Sequence, residues 1–141
     1  MTRETDYALR ILRALSSGGK IPAAEICRRE LLPLQFAYRI MKKLEGGGLV
    51  AIKRGSDGGV TLIADLAETN LLQVVNIMED RRWISACLRP EYHCARREVC
   101  DGKCRAHDGL LEIQGMLDEK MRSCNLKDLL LDEEPAESVP K

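Results

Sequence analysis

A chain of 141 residues has room for the core of one domain but not for two large ones. With 45% hydrophobic and 31% charged residues it reads as a soluble globular protein, and 4% aromatics leaves the core to Leu, Ile, Val, Ala and Met, a composition that favours helix. The formal net charge is zero, yet residues 1–60 carry 11 Lys and Arg against 6 Asp and Glu (+5) and residues 61–141 carry 11 against 16 (−5), so the first half is the one suited to a polyanion.

No apolar run of about 18 residues occurs, which excludes a helical membrane span. The opening MTRETDYALR lacks the basic-then-apolar build of a signal peptide, so the expected compartment is the cytoplasm. Clustered cysteines there bind metal or do redox chemistry more often than they form disulfides. No nucleophile–base pair or phosphate loop stands out and there are only two histidines, so an enzyme is not expected.

Thr2 to Ser16 predicts an amphipathic helix, with Tyr7, Ala8, Ile11, Leu12 and Leu15 on one face. Ser16-Ser17-Gly18-Gly19 ends it, and Pro22 suits the first turn of a short helix reaching Arg29. A third helix runs from Pro33 to about Glu45 with Phe36, Ile40, Met41 and Leu44 inward, and Gly46-Gly47-Gly48 stops it. The period then changes. Leu49–Arg54 and Val60–Ala64 read as two strands joined by the turn-rich Gly55–Gly59.

Three helices and a hairpin in this order predict a winged helix-turn-helix, whose second closely joined helix enters the major groove of DNA. Here that is the helix from Pro33. A charge run on a helix is ordinarily a solvated face, but this position makes Gln35, Tyr38 and Arg39 candidate base readers and Lys42 and Lys43 candidate phosphate contacts, with Lys53 and Arg54 on the wing.

Thr69-Asn70 can cap a helix over Leu71–Asp80, and a long helix is expected from about Arg105 to Cys124 with an apolar stripe of Leu110, Ile113, Leu117 and Met121. A stripe of that kind calls for a partner, and a twofold homodimer is the commonest solution. Asn125 can cap a last short helix. The division expected is therefore a DNA-binding domain over 1–66, a linking helix over 67–83, a cysteine loop over 84–104, a dimer helix and closing segment over 105–131, and a disordered acidic tail over 132–141.

The cysteine loop holds the densest chemistry. Cys87, Cys94, Cys100 and Cys104 lie there with His93 and His107, in a stretch with few large apolar residues. Such a loop becomes ordered around a ligand, read here as a metal or iron–sulfur cluster, since thiolates are its usual donors. A structural zinc site and a metal-free thiol switch are the alternatives weighed. Cys27 and Cys124 read as small packing residues, His93 as a solvated loop residue, and Asp6 also as a first-turn helix charge. A small electron-transfer or cluster-carrier protein would use the same cysteines but leaves the basic helix and wing unexplained.

TDYALR (Thr5–Arg10), FAYRIMKKLEGGGLV (Phe36–Val50), KRGSDGGVTL (Lys53–Leu62), LLQVVNIMED (Leu71–Asp80) and NLKDLL (Asn125–Leu130) together resemble the family of winged-helix transcription regulators that includes IscR, NsrR and RirA. Val60 stands where most family patterns have an aromatic residue. The resemblance implies a homodimeric regulator of a double-stranded DNA operator, in many members carrying a [2Fe–2S] or [4Fe–4S] cluster that alters DNA affinity in response to iron, redox state or nitric oxide. It also implies a ligand set of Cys87, Cys94 and Cys104, completed by His107 or by Asp6 of the partner subunit, with Cys100 extra to the usual pattern.

Overall fold

The computed structural model describes residues 1–80 and 82–132. The elements are α1 (Arg3–Leu15), α2 (Ala23–Glu30), α3 (Leu34–Gly46), β1 (Val50–Lys53), β2 (Gly59–Leu62), α4 (Leu71–Met78), a single 3₁₀ turn (Ala86–Leu88), α5 (Ala95–Val99), α6 (Arg105–Arg122) and α7 (Leu126–Leu130). The architecture is mostly helical with one two-stranded antiparallel hairpin, as expected. The expected acidic tail falls, apart from Asp132, outside the described residues.

α1 begins where Thr2 accepts a hydrogen bond from the Thr5 N–H and buries Ala8, Ile11, Leu12 and Leu15 along one line. The joint between α2 and α3 is tight because Leu31 takes a left-handed conformation (φ 55°) and the Leu32 N–H then bonds to the Cys27 carbonyl. Leu32 turns inward, and Pro33 stands just before the first turn of α3. Gly48 (φ 78°) reverses the chain after α3, a conformation that costs a Cβ-bearing residue more.

The inward face of α3 is Ala37, Ile40, Met41 and Leu44. Phe36, expected among them, is half exposed. Its position lies about 90° around the helix from the centre of the buried line at 100° per residue, and Ala37 takes the inward place.

In the wing Val50 pairs with Leu62, Ala51 with Thr61, Ile52 with Val60 and Lys53 with Gly59. Gly59 is thus the first strand residue rather than the last of the loop. The reason is a close approach: Ile21 bridges to Val60 through bonds of 2.8 and 3.0 Å, and a Cβ on Gly59 would lie 2.9 Å from the Ile21 carbonyl oxygen. This bridge roots the wing on the entry to α2.

α4 opens with a capping box in which Asn70 and Gln73 each bond the other's backbone N–H. It ends at Met78, two residues earlier than expected, because Glu79 is extended and turns its carboxylate back to the start of α1. Oε1 of Glu79 accepts from the Thr2 N–H at 2.7 Å and from the Thr5 hydroxyl at 2.5 Å. Val74 and Met78 of α4 and Leu126 of α7 join the same core as α1–α3 and the wing. The closing segment is stitched back onto the stretch before α4: Leu71 N–H to Cys124 O, Leu126 N–H to Thr69 O, and Lys127 N–H to Leu66 O, at 2.9, 2.9 and 3.0 Å.

α6 packs against α4 and the 3₁₀ turn. Leu110 and Met121 are half-buried, while Ile113 and Leu117 of the expected stripe are exposed together with Leu111 and Met116. One fully buried polar residue pins the helix. The Gln114 amide accepts from the Ile84 N–H and donates to Asp118, both at 2.8 Å, and Asp118 receives Arg82, whose guanidinium lies over the Trp83 ring.

Candidate DNA interface and cysteine centre

α3 projects its cations on two sides. Tyr38 and Lys42 turn toward the wing, where with Lys53, Arg54 and the glycines of the wing tip they edge a groove of about 570 Å³ floored by Met41, Ile52 and Val60. Lys42, Lys53 and Arg54 are exposed, with Lys53 at 3.6 Å from Asp57. Gln35 is exposed on the first turn. Arg39 and Lys43 turn the other way, to the start of α1. There Glu4 takes both, with Oε1 2.6 Å from Arg39 and Oε2 2.8 Å from Lys43. The bond from Lys43, ahead of the smaller attractions of the two cations and against the opposing effect of burial, holds the Glu4 carboxyl below the usual range.

Two members of this surface escaped sequence reasoning. Phe36 stands exposed with the Arg39 guanidinium over its ring at 5.6 Å. Lys20, from the loop before α2, reaches the wing tip, bonding the Asp57 carbonyl and lying 3.4 Å from its carboxylate. Glu4 was equally invisible, since nothing in local pattern links position 4 to 39 and 43.

The cysteine segment lacks a core. Among the described residues between Cys87 and Cys104 only Leu88 is buried. All six cysteines are free thiols, and Cys87, Cys94, Cys100 and Cys104 are each half-buried. Cys87 Sγ lies 3.3 Å from the Ser85 hydroxyl, Cys94 stands just before α5 and Cys100 just after it. Asp101 (φ 50°) and Gly102 (φ 75°) then reverse the chain, so that Cys104 caps α6 and its sulfur accepts from the His107 N–H at 3.5 Å.

His107 carries a further mark: its Nδ1 is buried without a hydrogen-bond partner among the described residues. Asp6 pairs with Arg10 at 3.0 Å on an exposed stretch of α1. His93 faces Glu98 at 3.1 Å and is largely exposed. Cys27 is buried in the core as expected, and burial pushes its thiol up.

The donor chemistry of this segment therefore fits an iron–sulfur cluster, with four free thiols and an imidazole nitrogen short of a partner among the described residues. Within one chain the donors are not gathered: among the described residues no group of three His, Cys, Asp or Glu stands close enough together to hold a metal ion.

A helix-turn-helix with a hairpin behind its second helix defines a winged-helix DNA-binding protein. The profile of the Rrf2 family, described as "Iron-dependent Transcriptional regulator", matches residues 1–132, and the chain belongs to that family of DNA-binding transcriptional regulators. Among similar proteins, "Protein aau3" of Rhizobium meliloti is 32% identical over 105 residues, covering 71% of this chain and 67% of its own. The HTH-type transcriptional regulator IscR of Photorhabdus laumondii is 26% identical over 121 residues, covering 84% of this chain and 70% of its own. The fold is shared with the solved structure of CymR, the global cysteine regulator of B. subtilis, at a TM-score of 0.67 and 20% identity over 92% of this chain and 95% of that one. No helix among the described residues is long and apolar enough to cross a membrane.

Proposed function

We propose that this regulator is a cytoplasmic homodimer whose loop cysteines hold an iron–sulfur cluster, [2Fe–2S] or [4Fe–4S], and whose affinity for a double-stranded DNA operator changes with the state of that centre. The carrying observation is the loop itself: four free, half-buried thiols in a segment with one buried residue and no core to keep it in place. Cys87, Cys94 and Cys104 would hold the cluster, with the fourth place taken by Cys100, by His107 through its unpartnered nitrogen, or by Asp6 of the partner subunit. A cluster supplies a centre that responds chemically to iron supply, oxidants or nitric oxide.

The chain's own residues carry the rest. Lys42, Lys53 and Arg54 meet phosphates on either side of the groove between α3 and the wing, and Gln35 and Tyr38 reach base edges. Arg39 and Lys43 stand on the same helix, both paired with Glu4. The exposed line of Ile113, Met116 and Leu117 on α6 meets its twofold mate, since an apolar stripe of that size on an exposed helix asks for cover. Ordering of the loop links α6 to the winged domain through Arg82, Asp118 and Gln114, and so sets the spacing of the two recognition helices against the ~34 Å turn of DNA.

A second reading keeps the DNA contacts but makes the loop a thiol switch or a zinc site. Four free thiols with no assembled three-donor group among the described residues favour the former. Protein purified without oxygen separates the readings. The cluster reading expects visible charge-transfer absorption with matching iron and sulfide. Stoichiometric zinc in colourless protein selects the structural site, and colourless, metal-free protein that cannot be reconstituted leaves the thiol switch.

A further inference from the structure

The recognition helix shows an unequal use of its cations. Lys42 lies on the wing side in a neighbourhood with Lys53 and Arg54. Arg39 and Lys43, one turn apart on the opposite side, are bridged by a single carboxylate, each oxygen of Glu4 taking one of them. The Lys43 ammonium also lies 3.5 Å from the Met78 carbonyl, and the recess around it is lined by Thr2, Arg3, Glu4, Glu79 and Asp80. Two of the three positive charges on this helix therefore already have an anion, supplied from another element of the same chain.

The clamp is held in place. The first turn of α1 is fastened by Thr2 and Thr5 to Glu79 at the end of α4, so Glu4 is carried on an anchored support rather than a fraying terminus. Glu4 itself is 29% exposed, against 56% for Arg39 and 38% for Lys43, so the cations remain within reach of a polyanion while their counter-charge is mostly covered.

We propose that Glu4 is an internal stand-in for a DNA phosphate, which withholds Arg39 and Lys43 from the duplex and thereby sets the ceiling of DNA affinity. The proposal rests on the assignment of α3 as the DNA-contacting helix. Exposed ion pairs are weak enough to be exchanged, so the clamp is a brake that movement of the first turn of α1 can release. Asp6, two residues further along that turn, faces away and pairs with Arg10, so the brake and the proposed partner contact share one rigid turn.

The test is the full-length Glu4→Gln protein against a random-sequence 30-base-pair duplex, read by fluorescence anisotropy across a potassium chloride series. Freeing two cations is expected to tighten binding about three- to tenfold near 0.1 M salt and to steepen the dependence of log K on log salt by about one to two units. The same gain is expected of Glu4→Ala, which serves if the Gln protein folds poorly. In an Arg39→Ala, Lys43→Ala background Glu4→Gln should bring no gain. Unchanged affinity and slope would overturn the proposal. Weaker binding would do so too, since it would make Glu4 a residue that orients Arg39 for contact. A wild-type protein that binds no duplex would instead remove the DNA assignment of α3, and this proposal with it.

Discussion

The buried bond between Thr5 and Glu79 ties the first turn of α1 to the end of α4. Thr5 is fully buried, its hydroxyl donates to the Glu79 carboxylate at 2.5 Å, and Glu79 is itself 9% exposed. Replacing Thr5 by Val keeps the shape and removes only the donor. Hydrogen bonds to a charged group contribute about 1.5–3 kcal/mol, and here burial hinders water from replacing the donor, so that among the described residues the carboxylate keeps the Thr2 N–H at 2.7 Å. Thr5→Val is therefore expected to destabilise the fold by about 2 kcal/mol, a fall of roughly 5–10 °C in Tm for a chain of this size. Thermal and urea unfolding at one fixed protein concentration measure it, since dimerisation would make Tm depend on concentration. A change of less than about 1 °C would refute the reasoning. It would mean that Glu79 is solvated in the protein, and that α4 ends at Met78 for another reason.

Further outcomes follow from the other contacts. Lys42→Ala should weaken binding to every duplex sequence and lower the salt slope by about one unit; an unchanged slope would take Lys42 off the phosphates. Leu117→Lys with Ile113→Lys, on the exposed face of α6, should shift the protein to monomer in sedimentation while leaving its helical circular dichroism in place. A persistent dimer would move the interface elsewhere. Stability should also fall in acid. Burial pushes Glu79 up, but the bonds from Thr5 and Thr2 and the nearby amino terminus outweigh it and leave the carboxyl below its ordinary value of 4.5, while Arg28 and then Arg29 hold Glu25 at about 2. Both groups are depressed in the fold, so their contributions are present above pH 4.5 and lost as pH falls through the folded values. Glu79→Gln should flatten the decline of Tm below that pH, and an identical acid limb in the variant would count against the assignment.

The elements of the winged domain were legible because each one repeats a short-range rule. The 3.6-residue spacing of Ala8, Ile11, Leu12 and Leu15 reads directly as α1, Thr69-Asn70 ahead of an apolar run marks the start of α4, and the change to strand period after Gly48 announces the wing. What local pattern misjudged lay at the edge of a face or depended on a distant neighbour. Phe36 shares the i, i+4 spacing with Ile40 yet sits at the margin of the buried line, and small Ala37 fills the inward place. Gly59 belongs to the strand because the Ile21 carbonyl leaves no room for a Cβ, a fact written 38 residues away.

The same holds for the functional surface. The cations of α3 could be named from their place in the helix-turn-helix, but their division by Glu4 could not, because it depends on the packing of α1 across α3. On α6 an apolar stripe was visible, whereas Gln114, the one buried residue of that helix, offers no signal that it pins Ile84 and Asp118. The cysteine loop stood out by composition alone. Its proposed ligand set is less legible, since four thiols, an imidazole and a carboxylate are all candidate donors and among the described residues no three of them stand close together.

If the state of the cysteine loop sets DNA affinity, loading and emptying the loop must change how tightly the protein binds. The dissociation constant for an operator fragment selected by the protein, taken anaerobically on one preparation before and after removal of its iron with a chelator, decides this. The two constants are expected to differ by tenfold or more, with Cys94→Ala protein fixed at the value of the iron-free form. Equal constants for the two forms, in protein shown by iron and sulfide content to have carried the cluster, would contradict it.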